Sequence, residues 1–329
     1  MGSSISTPSP TSVSATARLT PPVGSITVCA TGGCDFSTIS GAVNSISNTS
    51  TIPTSIFVYN GTYTEQVYLP AKPAKVTIYG ETADFTGYAG NTVTLQYNSS
   101  LLVAADDEHT AALINESPDT AVYNINIRNL WGEGSQAIAL SAYNTSQGYY
   151  GVGLYGSQDT LLAEVGNQIY ANSYIEGMTD FIFGEHARAW ITNSTIASNG
   201  YGWLTASGRP SDSDVSWYVI TDSVITTAEG ADVEEGSVYL GRPWRDYARV
   251  TFQRNELSSI INETGWGIWS ESAPQTDHVT FQEFRNYGPG ANIEERASYS
   301  SQRNSSLEIG QILGSDYKKW VDPLFVHHK

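Results

Sequence analysis

Apolar residues in this chain fall mostly in short alternating or β-branched runs cut by Gly, Pro, Asn and Asp. Ile26–Val28, Ile56–Tyr59, Thr64–Leu69, Val76–Tyr79 and Val93–Tyr97 read as strands, and residues 81–92 as a polar loop. One stretch departs. In residues 35–47, Phe36, Ile39, Val43 and Ile46 recur at helical spacing, with Ser37 or Thr38 placed to cap the start. This predicts a short helix over one end of the core. From about residue 99 the chain repeats itself: 121–129, 169–175, 189–196, 217–225, 250–257 and 279–284 each carry apolar segments around or beside polar turn residues.

The turn residues Asn129, Asn172, Asn193, Asp222 and Asn255 are separated by 43, 21, 29 and 33 positions, a repeat near 21 with insertions and one doubled interval. A right-handed parallel β-helix uses such recurrence, because each coil stacks on the last, about 4.8 Å away, and equivalent positions form ladders. On pattern alone a β-sandwich stays open. The expected fold is all-β: a right-handed parallel β-helix with a short N-terminal capping helix and an extended C-terminal segment. Residues 1–22, rich in Ser, Thr and Pro, read as a flexible leader, with Met1 to Ser4 resembling an artificial start; residues 23–329 read as one domain. Near the C-terminus, 294–301 and 314–325 read as coil or short helix, with Tyr317, Trp320 and Leu324 packing back on the helix side.

With 40% hydrophobic residues among 329, a substantial core is possible. Thirty-three acidic residues against 16 basic give a net charge of -17, which argues against nucleic acid as a partner. No apolar run approaches a membrane span. Asn-x-Ser/Thr sites at Asn48, Asn60, Asn98, Asn115, Asn144, Asn193, Asn262 and Asn304 favour a secreted, extracellular protein. Cys29 and Cys34 permit a small disulfide loop or two unpaired thiols, but make no metal site by themselves.

The chemistry concentrates around Tyr149–Gly184. Gln136 and Gln158 are 22 residues apart and Asp159 and Asp180 are 21 apart, one coil each, so Gln136, Asp159 and Asp180 are expected to stack one per coil. Two adjacent carboxylates cannot both ionise cheaply: one keeps its proton and serves as an acid, the other stays charged and nucleophilic. Turn capping is the competing role for either Asp alone. Phe181-Ile182-Phe183 sets an apolar wall beside Asp180. In Leu240-Gly241-Arg242-Pro243-Trp244, the Gly and Pro frame an Arg suited to bidentate grip of a carboxylate. Gly265-Trp266-Gly267-Ile268-Trp269 reads as a groove wall or a packed turn, Glu65 of Gly61–Glu65 as a backbone partner, and His186 as a supporting residue rather than a base, since no G-x-S-x-G is present.

Taken together and in order, GxYxE at 61–65, QAIAL at 136–140, GSQDTL at 156–161, DFIFG at 180–184 and LGRPW at 240–244 resemble the pectin methylesterase family, specifically its secreted fungal type, over about residues 26–325. The resemblance implies a monomeric β-helix that hydrolyses galacturonate methyl esters in homogalacturonan without a metal or other cofactor. It implies Asp180 as nucleophile, Asp159 as general acid and base, Gln136 as oxyanion donor with Gln158 as a supporting amide, Arg242 as the group orienting Asp180, and Phe183, Trp244 and Trp269 on the substrate groove. A polygalacturonase, a calcium-dependent pectate lyase and a non-catalytic polysaccharide-binding β-helix are the alternatives, separated by polymer shortening, chelator sensitivity and indifference to loss of Asp180. Two stretches depart from the family pattern: the aromatic 201–209, which can add a wall near the cleft, and the loop 81–92. The acidic charge predicts weak retention on de-esterified, anionic pectin and hence dispersed demethylation. Mapping the products tests this; long contiguous demethylated blocks would contradict it.

Overall fold

The structure is a computed structural model that describes residues 16–326. Its strands wind in parallel coils with three faces. One face carries Leu113–Asn115, Leu140–Tyr143, Ile182–Gly184, Gly202–Ser207 and Val238–Pro243. A second carries Thr120–Tyr123, Gln147–Tyr150, His186–Thr192, Trp217–Thr221 and Arg249–Gln253. Leu161–Ala171 crosses between them: Leu161 to Ala163 pair with Leu140–Ala142, and Gln168 to Ala171 with Gln147–Tyr150. The third face stacks Ile125–Asn129, Gly153–Tyr155, Tyr174–Gly177, Thr195–Ser198 and Val224–Thr227. Between the faces runs one apolar column that includes Tyr149, Tyr170, Phe181, Phe252 and Trp266.

The turn from the second to the third face needs a left-handed backbone, and Asn124, Asn172, Asn193, Asp222, Arg254 and Arg285 adopt it, with φ from 48° to 56°. Asn and Asp tolerate this region best among non-Gly residues. Gly151, at φ 59°, fills the same place in the coil that the doubled interval concealed. The register read from sequence is therefore corrected at two positions: Asn129 ends a third-face strand, and Asn255 lies one residue past its turn. The residue after each turn forms a second ladder. Ser173, Ser194 and Ser223 Oγ and Asn255 Oδ1 accept from the backbone N–H of Val152, Ser173, Ser194 and Ser223 at 3.0–3.2 Å. Each is buried, so in these four coils the otherwise orphaned amide is satisfied by the next coil's side chain.

The N-terminal helix forms, but over Ile39–Ser45 only; Thr38 caps it, its Oγ1 accepting from Gly41 N. Phe36 lies outside, bridged in extended form to Val28. Glu65 sits between two strands, Gly61–Thr64 and Val67–Leu69, that belong to different sheets where the sequence suggested one continuous strand after Thr64. Its two carboxylate oxygens accept from Ile39 N and Ser40 N at 2.7 and 3.0 Å. Cys29 and Cys34 are joined in a disulfide.

The C-terminal segment contains a helix, Ile309–Leu313, that sequence periodicity missed because five residues are too few to show it. Ile309, Ile312, Tyr317 and Phe325 pack over Tyr150 and Trp190 on the outside of the second face, not at the capped end, and Leu324 is 55% exposed. Residues 1–15 of the expected leader lie outside the described residues. Within 16–22, Arg18 is tied down: it pairs with Thr82, and its guanidinium lies over Tyr79 and Tyr123. The loop 81–92 drapes over the turns, Thr86 O and Gly87 O accepting from Asn172 and Asn124 side chains.

Glu65→Ala should lower stability by about 1–3 kcal/mol, since two charge-assisted bonds to helix amides are lost. Denaturant melting checks this, and the activity per folded molecule should not change.

Candidate active site

Asp159 and Asp180 both sit in left-handed turns, at φ 65° and 52°, immediately before first-face strands. Pairing of Leu161 with Ile182 places the two Asp at equivalent positions on adjacent coils. Backbone bonds hold the strained conformations: Asp159 N donates to Thr179 O at 3.0 Å, and Asp180 N to Trp203 O at 2.8 Å. Gln136 stands one ladder away from the expected stack. Ala137 N donates to Gln158 O, which sets Gln136 opposite Gln158 rather than opposite Asp159. The two amides thus form their own step beside the carboxyl pair.

A cavity of about 300 Å³ brings all eight expected residues together: Gln136, Gln158, Asp159, Asp180, Phe183, Arg242, Trp244 and Trp269. It adds two that sequence reading missed, Asp107 and Ala206. Phe183, Ala206 and Arg242 succeed one another on three coils. The small Ala206 leaves the gap across which Arg242 reaches back to Asp180. Its Nε and Nη2 donate to Asp180 Oδ1 and Oδ2 at 2.9 and 2.7 Å. A side chain at position 241 would put its Cβ 2.1 Å from Thr205 Oγ1, so Gly241 is required by close packing. The guanidinium lies between two indoles, 3.7 Å from the Trp203 ring centre and 4.4 Å from that of Trp269.

The apolar wall is narrower than Phe181-Ile182-Phe183 suggested. Phe181 and Ile182 point into the column, and Phe183 alone faces the cavity, 6.3 Å from Trp244. Trp266 is likewise core, stacked on Phe281, while Trp269 forms wall. His186 lies outside the cavity lining and bonds Asp214.

Burial raises the carboxyls of both Asp159 and Asp180, and the partners decide how far. Asp180 rises because of burial, but the hydrogen bonds and charge of Arg242 oppose the shift. Asp159 rises well above the usual range through burial, then through the charges of Asp107 and Asp180, with Arg242 opposing. Asp107 is itself pushed up to about 6, by burial and then by neighbouring Asp106, and its buried Oδ1 has no hydrogen-bond partner among the described residues. Between the two transitions of the pair the cavity therefore holds a carboxylate at Asp180 and a carboxylic acid at Asp159. Above pH 6, Asp107 is charged and helps Asp159 keep its proton. Asp107→Asn should lower the Asp159 midpoint, measurable by carboxyl-carbon NMR; an unmoved midpoint would show that Asp107 exerts no such field.

This constellation can be set beside known proteins. The Pectinesterase family model matches residues 25–312. A pectinesterase of Aspergillus aculeatus is 48% identical over 94% of each chain, and one of Aspergillus niger 46% identical over 95% of each. The crystal structure of the deglycosylated pectin methylesterase from Aspergillus niger superposes with a TM-score of 0.88 at 37% identity, covering 93% of this chain and 99% of that one. Matching nearly end to end in sequence and in coil architecture, this chain belongs to the pectinesterase family.

Proposed function

We propose that this protein removes methyl esters from galacturonate units of homogalacturonan through an aspartyl acyl-enzyme, with Asp180 as nucleophile and Asp159 as proton carrier. Methyl ester hydrolysis in pectin follows from family membership. The division of labour rests on one observation: the Arg242 fork grips Asp180 and not Asp159, its coil neighbour in the same cavity.

Asp180 carboxylate attacks the ester carbonyl, and its oxygen becomes an oxyanion. The side-chain N–H groups of Gln136 and Gln158 stand ready to donate to that charge, a contact that strengthens in the transition state. Collapse breaks the ester C–O bond, Asp159 gives its proton to the departing methoxide, and methanol leaves a mixed anhydride on Asp180. Asp159, now a carboxylate, takes a proton from water as the water oxygen adds to the galacturonyl carbonyl. The second collapse frees Asp180 as carboxylate, still held by Arg242, and releases the galacturonic acid. Phe183, Trp244 and Trp269 supply apolar faces on which sugar rings stack.

Burial of Asn115, whose amide donates to Tyr149 Oη, excludes a glycan there in the folded chain, whereas Asn48, Asn60, Asn98, Asn193 and Asn304 are exposed. Those exposed sites and the Cys29–Cys34 disulfide support a secreted, extracellular enzyme. No helix among the described residues is long and apolar enough to cross a membrane.

Methanol release from highly methylated homogalacturonan tests the assignment. Asp180→Asn should abolish turnover with the fold intact, and Gln136→Ala should lower kcat by about 10²–10³ with little change in KM. Retained turnover in Asp180→Asn would overturn the reading.

A further inference from the structure

Trp203 belongs to the aromatic stretch 201–209, and neither the ester chemistry nor the groove accounts for it. It lies on the coil after Asp180, and its carbonyl receives the Asp180 amide at 2.8 Å. Its ring covers one face of the Arg242 guanidinium at 3.7 Å, while Trp269 covers the other. The indole is itself immobilised. Tyr239, on the next coil, stacks on it at 5.9 Å and 19°, and Tyr201 meets it edge-on at 5.5 Å. A Cβ at Gly267 would lie 2.4 Å from its Nε1, so the glycine backbone abuts the ring. That Nε1 is buried with no hydrogen-bond partner among the described residues, so stacking, not hydrogen bonding, fixes the indole.

A guanidinium is weakly hydrated on its faces and strongly along its edge. Two indoles remove water from the faces and leave the edge for one acceptor, Asp180. They also fix the plane of the fork, which a long side chain otherwise loses to rotamer freedom. We propose that Trp203 is a positioning residue for the nucleophile: by clamping Arg242 against Trp269, and by receiving the Asp180 amide, it holds the Asp180 carboxylate ionised and aimed. This rests on Asp180 as nucleophile. Trp203 touches Asp180 only through its backbone, so its side chain acts through Arg242. Trp269 faces the substrate cavity and Trp203 does not line it, which separates the wall of the groove from the back of the clamp.

The test is a ring-size series, Trp203→Phe and Trp203→Leu, read as kcat, KM and the acid limb of kcat/KM on highly methylated homogalacturonan. Arg242 opposes the upward push of burial on Asp180, so a loosened clamp lets Asp180 protonate at higher pH. Trp203→Leu should lower kcat about tenfold with KM within about twofold, and move the acid limb to higher pH; Trp203→Phe should fall between it and the unaltered protein. A raised KM with kcat and the limb unmoved would make Trp203 a substrate wall. A lower kcat with the limb unmoved would make it a structural residue only. Either result overturns the proposal. Should Trp203→Leu fail to fold, Trp203→Phe decides by the same limb. Asp180→Asn run alongside separates failure of the clamp from failure of the nucleophile assignment, since only the latter leaves that variant active.

Discussion

Parallel stacking of coils is the constraint on which everything else depends. It converts a sequence interval of 21 residues between Asp159 and Asp180 into adjacency across one backbone hydrogen-bonded step. Two buried carboxyls on adjacent coils of one cavity do not both ionise cheaply. Their difference must then come from a third group, and the coil geometry supplies it two coils further on, where Gly241 and Ala206 clear the path for Arg242. The same stacking fixes where water is excluded: the guanidinium that defines the charged member of the pair is closed on both faces by indoles from separate coils or loops.

The electrostatics then follow with a definite sign. Burial alone would raise both Asp, and Asp180 is raised despite its fork, so its charge is lost at a higher pH than that of a free carboxyl. Its ionised form is lost as pH falls through its raised midpoint, while the acid form of Asp159 is lost as pH rises through a midpoint raised further by Asp107 and Asp180. Chemistry that needs one charged and one neutral carboxyl is confined between these limits. A net charge of -17 adds a repulsive field toward anionic product, outside the cavity but of the same sign.

Most of this site was legible in the sequence because its residues sit in local motifs whose spacing equals a coil. The αL turns at Asn172, Asn193 and Asp222 were legible for a related reason: Asn and Asp advertise that conformation. Gly151, Arg254 and Arg285 do the same work without the signature, so the register slipped at Asn129 and Asn255. Gln136 slipped by one ladder for lack of any marker of where a coil begins. Asp107 and Trp203 were hidden differently. Asp107 lies in an acidic loop with no apolar period, and its place at the cavity arises from long-range winding; the cue was an Asp pair, which most often is solvated surface. Trp203 stood in a stretch visibly aromatic, but its partner Arg242 is 39 residues away and nothing local names it. Glu65 shows the same limit, since a carboxylate between two strands gives no hint that it caps a helix earlier in the chain.

The central claim is that one carboxyl of the pair is held as carboxylate while its neighbour carries the proton. Carboxyl-carbon NMR of the unaltered protein, assigned at both positions through Asp159→Asn and Asp180→Asn, measures it directly. Asp180 should ionise at the lower pH and Asp159 at the higher, with the Asp159 midpoint falling when Asp180 is made neutral. Ionisation of Asp159 before Asp180 would contradict the account.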